Sequence, residues 1–327
     1  MNVHDMQVLE ADQEAPEADQ EAPVHPSAGK SRDLANLIAK LSARRIPEVV
    51  NAELTNNCNL KCAKCPTYDA SRGRGMMSRE LFTKILSDVR EGGDAVASLG
   101  LSGGGEAVTH PDVIDFVALA TEVPNIRGVH IATNGLGLTP KISRDLLAAG
   151  LSSLKISLDT NDSLTFLKYN RVDGYDEATE NIREFFRIRS ETGSQCRAEI
   201  KVTLYKPDDE FVAAMREQWG GIADNVRFTG LHNWLGLRGK NSPVRRKTPC
   251  VIPWEEIQIL WDGQITLCCF DTMEGFMNLG NIADISLSDY WKRYSELAAV
   301  RQAHMVLDFE NHLVCGHCTV DNYQRDI

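Results

Sequence analysis

Seven of the nine cysteines in this 327-residue chain fall into two groups whose spacing suits metal chemistry. Cys58, Cys62 and Cys65 form a C-x3-C-x2-C triplet, and Cys250, Cys268, Cys315 and Cys318 supply four thiols further along. Soft thiolate donors select zinc or iron–sulfur clusters. A structural zinc site closes on four ligands. A triplet therefore leaves one position open, either on a tetrahedral metal or on one iron of a four-iron cluster. Completion of a zinc site by His110 or His130 is the alternative. For the second group, spacing alone suits tetrahedral zinc and a four-iron cluster equally. Cys196 and Cys269 are left over. Cys196, between a helix pattern and a strand pattern, reads as a packing residue.

Strand-like and helix-like segments alternate around these residues. The strand candidates are 49–54, 96–101, 128–132, 153–158, 198–204 and 226–229, each rich in β-branched residues or Leu and closed by a polar or glycine-rich turn. Helix patterns run over 78–90, with Ser78 as the cap, and over 111–121, 140–149, 175–192 and 208–219. This alternation predicts an α/β fold with a parallel sheet curved into a barrel, complete or partial. Chemistry in such barrels sits at the C-terminal strand ends, and the cysteine triplet follows the first strand. Further on, Asp262-Gly263 between two apolar runs predicts a β-hairpin over 254–268, and 286–304 reads as helix. Cys250 then precedes the hairpin, Cys268 ends it, and Cys315-x2-Cys318 closes the set.

With the triplet directly after the first strand, the sequence resembles the radical SAM superfamily. That resemblance implies a [4Fe–4S] cluster held by Cys58, Cys62 and Cys65, with its fourth iron chelated by S-adenosylmethionine. It also implies reductive cleavage to a 5′-deoxyadenosyl radical. Ser102-Gly103-Gly104-Gly105-Glu106 is similar to the family's GGE motif. Thr133-Asn134-Gly135 and Ser157-Leu158-Asp159 look like the positions that contact the methionine carboxylate and the ribose hydroxyls. Gly104, Gly105, Glu106, Asn134, Ser157 and Asp159 are thus the expected cofactor-binding residues. Taken singly each is also ordinary turn chemistry; the order in which they occur carries the resemblance. Lys64 stands where the family has an aromatic residue, and Ala107 where it has Pro.

The second cysteine group resembles the SPASM/twitch subgroup and implies one auxiliary [4Fe–4S] cluster on Cys250, Cys268, Cys315 and Cys318. The fold implied is a partial (β/α)6 barrel followed by a small hairpin-plus-helix domain of twitch type. The corresponding division is an acidic disordered tail over 1–33, a barrel over 46–235 and an auxiliary-cluster domain over 236–327. Cys269 has three readings: a hydrogen-atom donor to a substrate radical, a filler, or the auxiliary ligand in place of Cys268. The subgroup includes aminocyclitol dehydrogenases and aminoglycoside epimerases.

The formal net charge is −11, yet Asp5, Glu10, Asp12, Glu14, Glu17, Asp19 and Glu21 precede any Lys or Arg. Most of the acidity therefore belongs to a tail that repeats EADQEAP, with Pro16 and Pro23 interrupting any helix. The acidic balance argues against a nucleic-acid surface. No apolar run approaches the roughly 18 to 20 residues that span a bilayer, and the acidic start is no signal peptide. The expectation is a cytoplasmic enzyme without membrane or nucleic-acid partners, served by a one-electron reductant such as flavodoxin or ferredoxin. Its expected reaction is hydrogen abstraction from a hydroxylated small molecule of natural-product (antibiotic) biosynthesis, ending in dehydrogenation or epimerisation. The alternative is maturation of a ribosomal peptide; residues 1–45 are too short and acidic to form the leader-binding module common in such enzymes.

Overall fold

The computed structural model describes residues 28–206, 208–238, 248–309 and 312–318. The acidic tail expected over 1–33 lies outside them up to residue 27. Backbone contacts divide the chain into residues 1–37 and 38–327. Helix α1 (Ala28–Ala43) starts in the first unit and ends in the second.

Six short strands alternate with helices in the second unit: β1 (Val49–Ala52), α2 (Arg79–Gly92), β2 (Ser98–Gly100), α3 (Val113–Thr121), β3 (Val129–Thr133), α4 (Pro140–Ala148), β4 (Ser153–Ser157), α5 (Ser163–Asn170), α6 (Tyr175–Thr192), β5 (Arg197–Leu204), α7 (Asp209–Trp219) and β6 (Asn225–Gly230). All six strands pair in parallel, in sequence order from β1 to β6. The expected partial barrel is therefore present. Side chains alternate across it. Ala198, Ile200 and Val202 of β5 enter the apolar core, which also holds Ile182, Phe185 and Trp219 from the helices. Glu199 and Lys201 between them are half-buried on the opposite, concave face.

Local sequence accounts for the helix limits. Ser78 caps α2 by accepting the Leu81 N–H at 3.1 Å, and Gly93 ends it with φ 78°. Asp208 caps α7 through the Phe211 N–H at 3.0 Å. Helix α5 has no counterpart in the sequence reading. It is one short amphipathic segment started by Asp162, which accepts the Thr165 N–H at 2.8 Å. The single helix expected over 286–304 is two, α9 (Leu287–Arg293) and α10 (Ser295–Val306), beyond the short turn α8 (Ile252–Glu255). The break is Tyr294, whose ψ of 121° is extended and whose ring lies 5.1 Å from that of Tyr290.

The hairpin forms as expected between β7 (Glu256–Ile259) and β8 (Ile265–Thr266). It is also part of the main sheet. β7 runs parallel to β1 in register Val49↔Glu256 to Ala52↔Ile259, so the strand order is β6-β5-β4-β3-β2-β1-β7-β8. All four β7 residues are buried, unlike a hairpin with one wet face. Among the described residues no helix is long and apolar enough to cross a membrane.

Gly263 turns the hairpin at φ 88°, and a Cβ there would run into the Asn281 side chain. Gly263→Ala is expected to lower the unfolding free energy by about 1–2 kcal/mol, the cost of a left-handed L-residue, read from urea unfolding curves of the two chains.

Candidate active site

The cysteine triplet lies on the segment that leaves β1 and returns to it. Thr55 pairs with Met76, Met77 donates to the Leu54 carbonyl at 2.7 Å, and Asn56 is bonded to Gly73 and Gly75 on the returning arm. Between these closed ends, Cys58, Cys62 and Cys65 are fixed by neighbours from other strands. Ala63 and Lys61 donate N–H groups to the Tyr169 and Asn170 carbonyls at the end of α5. Cys62 Sγ lies 3.1 Å from Asn170 Oδ1, and Cys65 Sγ 3.2 Å from Thr67 Oγ1.

Burial pushes the Cys58 thiol up to about 11 and Cys62 to about 12, with Cys65 adding to both shifts and Cys58 to that of Cys62. A centre that ligates them must supply enough positive charge to ionise them, as an iron–sulfur cluster does. Among the described residues no three Cys, His, Asp or Glu side chains are close enough to share a single metal ion. His110, the proposed completion of a zinc site, has its ring nitrogens engaged by the Met77 carbonyl at 3.0 Å and the Asp112 N–H at 3.1 Å.

The residues expected around S-adenosylmethionine gather at the strand ends in two groups. In the first, Glu106 is buried and accepts the Asn134 N–H at 2.7 Å, while Asn134 Nδ2 donates to Asn59 Oδ1 at 2.7 Å. Burial raises the Glu106 carboxyl to about 7, against hydrogen bonds from Thr133, Asn134 and Val108. Gly105 is required by contact inside the protein itself, since a Cβ there would run into the carbonyl oxygens of Thr55 and Asn57. Gly104 donates its N–H to Glu53 Oε1 at 2.7 Å. In the second group, Asp159 is held by an ion pair with Lys64 and by the Thr203 N–H at 2.6 Å, with Lys64 Nζ also 2.9 Å from Thr203 Oγ1. Ser157 lies opposite Lys201 in the sheet register.

Sequence reasoning missed Glu53. It is fully buried at the end of β1 and receives Arg72 at 2.8 and 2.9 Å, the Gly104 N–H and, at 3.2 Å, the Trp261 N–H. Burial holds its carboxyl above the usual range while these donors pull it down. A lone Glu in an apolar strand, NAELTNN, was the signal available.

Cys250, Cys268, Cys315 and Cys318 all line one apolar cavity with His304 and Phe270. Cys269 is not among its lining residues. Burial pushes the Cys268 thiol well above its ordinary value. His304, also missed in the sequence, is 1% exposed. Its Nδ1 accepts the Cys250 N–H at 3.2 Å, so Nε2 carries the hydrogen and faces Cys315 Sγ at 3.3 Å. The four-thiol set suits an iron–sulfur centre. Cys196 is a buried core residue, and His317 is exposed. Between the cavity and the barrel stand His232, Trp234 and Phe270, with Phe270 4.8 Å from the His232 ring and 6.1 Å from that of Trp234. Arg238 donates to the Cys65 carbonyl at 2.9 Å.

Comparison with known proteins gives the same two regions. The radical SAM superfamily model matches residues 52–217, and that of an iron–sulfur cluster-binding domain, SPASM, matches residues 250–319. Molybdenum cofactor biosynthesis protein 1 of Bos taurus is 32% identical over 139 residues, 41% of this chain and 21% of that protein; the chain thus spans about a fifth of that relative's length. Among solved structures, BtrN in complex with AdoMet and 2-DOIA superposes with a TM-score of 0.59 at 18% identity, over 85% of this chain and 94% of that one. SuiB of Streptococcus suis bound to precursor peptide SuiA gives 0.64 at 15% identity, over 86% and 74%.

Gly105→Ala is expected to displace the cysteine loop while leaving the four-cysteine cavity intact. Iron and sulfide analysis of the reconstituted chain should then lose the share held by the first site and keep the auxiliary share; full loading of both sites would contradict this packing.

Proposed function

The chain belongs to the radical SAM superfamily, and from that premise we propose that it removes a hydrogen atom from an H–C–OH carbon of a hydroxylated small molecule and oxidises that carbon to a ketone. The substrate class proposed is an aminocyclitol or aminosugar intermediate. Radical SAM enzymes need S-adenosylmethionine and a reductant, the latter here of flavodoxin or ferredoxin type. When bound, the cluster and S-adenosylmethionine supply the 5′-deoxyadenosyl radical. In this reading Cys58, Cys62 and Cys65 hold that cluster. Gly104, Gly105, Glu106 and Asn134 line one side of the cosubstrate site, and Ser157 and Asp159 the other.

The observation that carries the oxidation is the gathering of Cys250, Cys268, Cys315 and Cys318 on one cavity. A carbon radical beside a hydroxyl becomes a ketone only by losing a proton and an electron. Four thiols around one cavity suit a single auxiliary four-iron centre, and such a centre accepts electrons. Support also comes from the extent of the match to BtrN, 94% of whose chain is covered and whose structure holds AdoMet and 2-DOIA. Epimerisation is the second reading. It rests on Cys269, a half-exposed thiol outside the cavity lining, which would return a hydrogen atom to the substrate radical.

Anaerobic incubation with S-adenosylmethionine and a reductant is expected to release 5′-deoxyadenosine, and its absence would defeat the enzyme reading. With substrate, Cys269→Ala should still form ketone in step with 5′-deoxyadenosine. Disappearance of an inverted product in that variant, with the substrate radical accumulating, would establish epimerisation.

A further inference from the structure

Around Lys201 the concave face of the barrel carries more positive charge than the carboxylates beside it neutralise. Lys155 on β4, Lys201 on β5 and Arg227 on β6 share that face, with Lys64 of the cysteine loop above them. Among the described residues, the carboxylates that meet these cations are Glu199 and Asp159. Glu199 is taken by Arg227 at 2.5 Å and Lys155 at 3.8 Å, and Asp159 by Lys64. Lys201 has no ion pair among the described residues, and it lies directly opposite Arg227 in the β5–β6 register. Like charges in that position repel, a cost retained in a half-buried location.

S-adenosylmethionine would not neutralise Lys201 and Arg227, since it brings a sulfonium and an ammonium against one carboxylate, and the negative charge of a three-thiolate cluster would fall beside Lys64. A hydroxyl donor is also at hand. Thr229 Oγ1, on the same face of β6 two residues beyond Arg227, is buried without a hydrogen-bond partner among the described residues. The position suits a substrate group. Lys201 is within electrostatic reach of Lys64 in the cysteine loop and of His232. The His232 ring meets Phe270, which lines the four-cysteine cavity. Burial and the neighbouring cations Lys64, Lys155 and Arg227 lower the Lys201 ammonium from its ordinary value, with Asp159 opposing them.

We propose that the substrate bears an anionic group, a carboxylate or a phosphate, seated on Lys201 with Arg227 and the Thr229 hydroxyl beside it. This rests on the small-molecule reading above and narrows it to hydroxylated rings that carry an acid. Lys201 is then a specificity-determining residue, and neutral or purely cationic rings are poor substrates.

The test uses the full-length reconstituted protein and two aldehydes that form imines with lysine, pyridoxal 5′-phosphate and uncharged pyridoxal, trapped with borohydride and mapped by peptide mass spectrometry. At low salt, Lys201 should be modified by the phosphate-bearing aldehyde at least about tenfold faster than by pyridoxal. Glucuronate or glucosamine 6-phosphate should protect it and neutral glucosamine should not. Protection by glucuronate alone assigns a carboxylate, and by glucosamine 6-phosphate alone a phosphate. Equal rates with the two aldehydes, or protection by glucosamine as good as by the acids, would overturn the proposal. Protection by S-adenosylmethionine alone would also overturn it, assigning the anion site to the cosubstrate. Release of 5′-deoxyadenosine is measured separately, so failure of the anion site is distinguishable from failure of the radical SAM reading.

Discussion

The buried ion pair between Glu53 and Arg72 is the contact on which the site's geometry depends. Glu53 ends β1, and Arg72 lies on the arm that returns from the cysteine triplet, where it also donates to the Thr272 carbonyl at 2.6 Å and the Met273 carbonyl at 3.3 Å. Through the N–H groups of Gly104 and Trp261 the same carboxylate holds the glycine loop after β2 and the end of β7. Four segments far apart in sequence thus converge on one anion. A buried charge pair is costly to desolvate and adds little net stability, but losing one partner costs about 3–5 kcal/mol because the other is left uncompensated. The pair therefore fixes position more than it adds stability: the triplet, the glycine loop and the auxiliary region keep one relative arrangement or lose it together.

Burial disfavours the thiolates of Cys58, Cys62 and Cys268, so loading must expel protons and is coupled to pH. The four-cysteine cavity is lined by apolar surface, with the His304 tautomer set by the Cys250 N–H. In the triplet, Cys58 is an exposed residue whose sulfur is nonetheless partly desolvated.

What was legible in the sequence follows from how local each signal is. The alternating strands, the Ser78 cap and the Asp262-Gly263 turn are written within a few residues of one another, and the structure agrees with them. Contacts between distant segments were not legible. The pairing of Lys64 with Asp159 spans 95 positions and that of Glu53 with Arg72 crosses the whole cysteine loop. Neither Lys64, read only as a departure from an aromatic, nor Glu53 carried a spacing rule. Cys268 and Cys269 are adjacent and chemically identical, so only the placement of their side chains tells them apart. Helix α5 is too short for its period to show, although Asp162 before Ser163-Leu164 was a usable cap signal. His304 belongs to an ordinary amphipathic helix until the chain has folded around it.

The pairing of β7 with β1 has a consequence for how this protein behaves at high concentration. A parallel barrel strand left at the rim would offer a row of open backbone groups to another chain, and here that strand would be β1, the one that feeds the cysteine loop. β7 occupies that row, and β8, which now forms the rim, is two residues long and thus a poor template for an incoming strand. The strand that carries the cluster loop is in this way insulated from self-association. At the opposite rim β6 carries Arg227 and ends at Gly230, so any strand-to-strand aggregation would have to begin beside the cationic face, where a second copy of the same sheet meets charge repulsion.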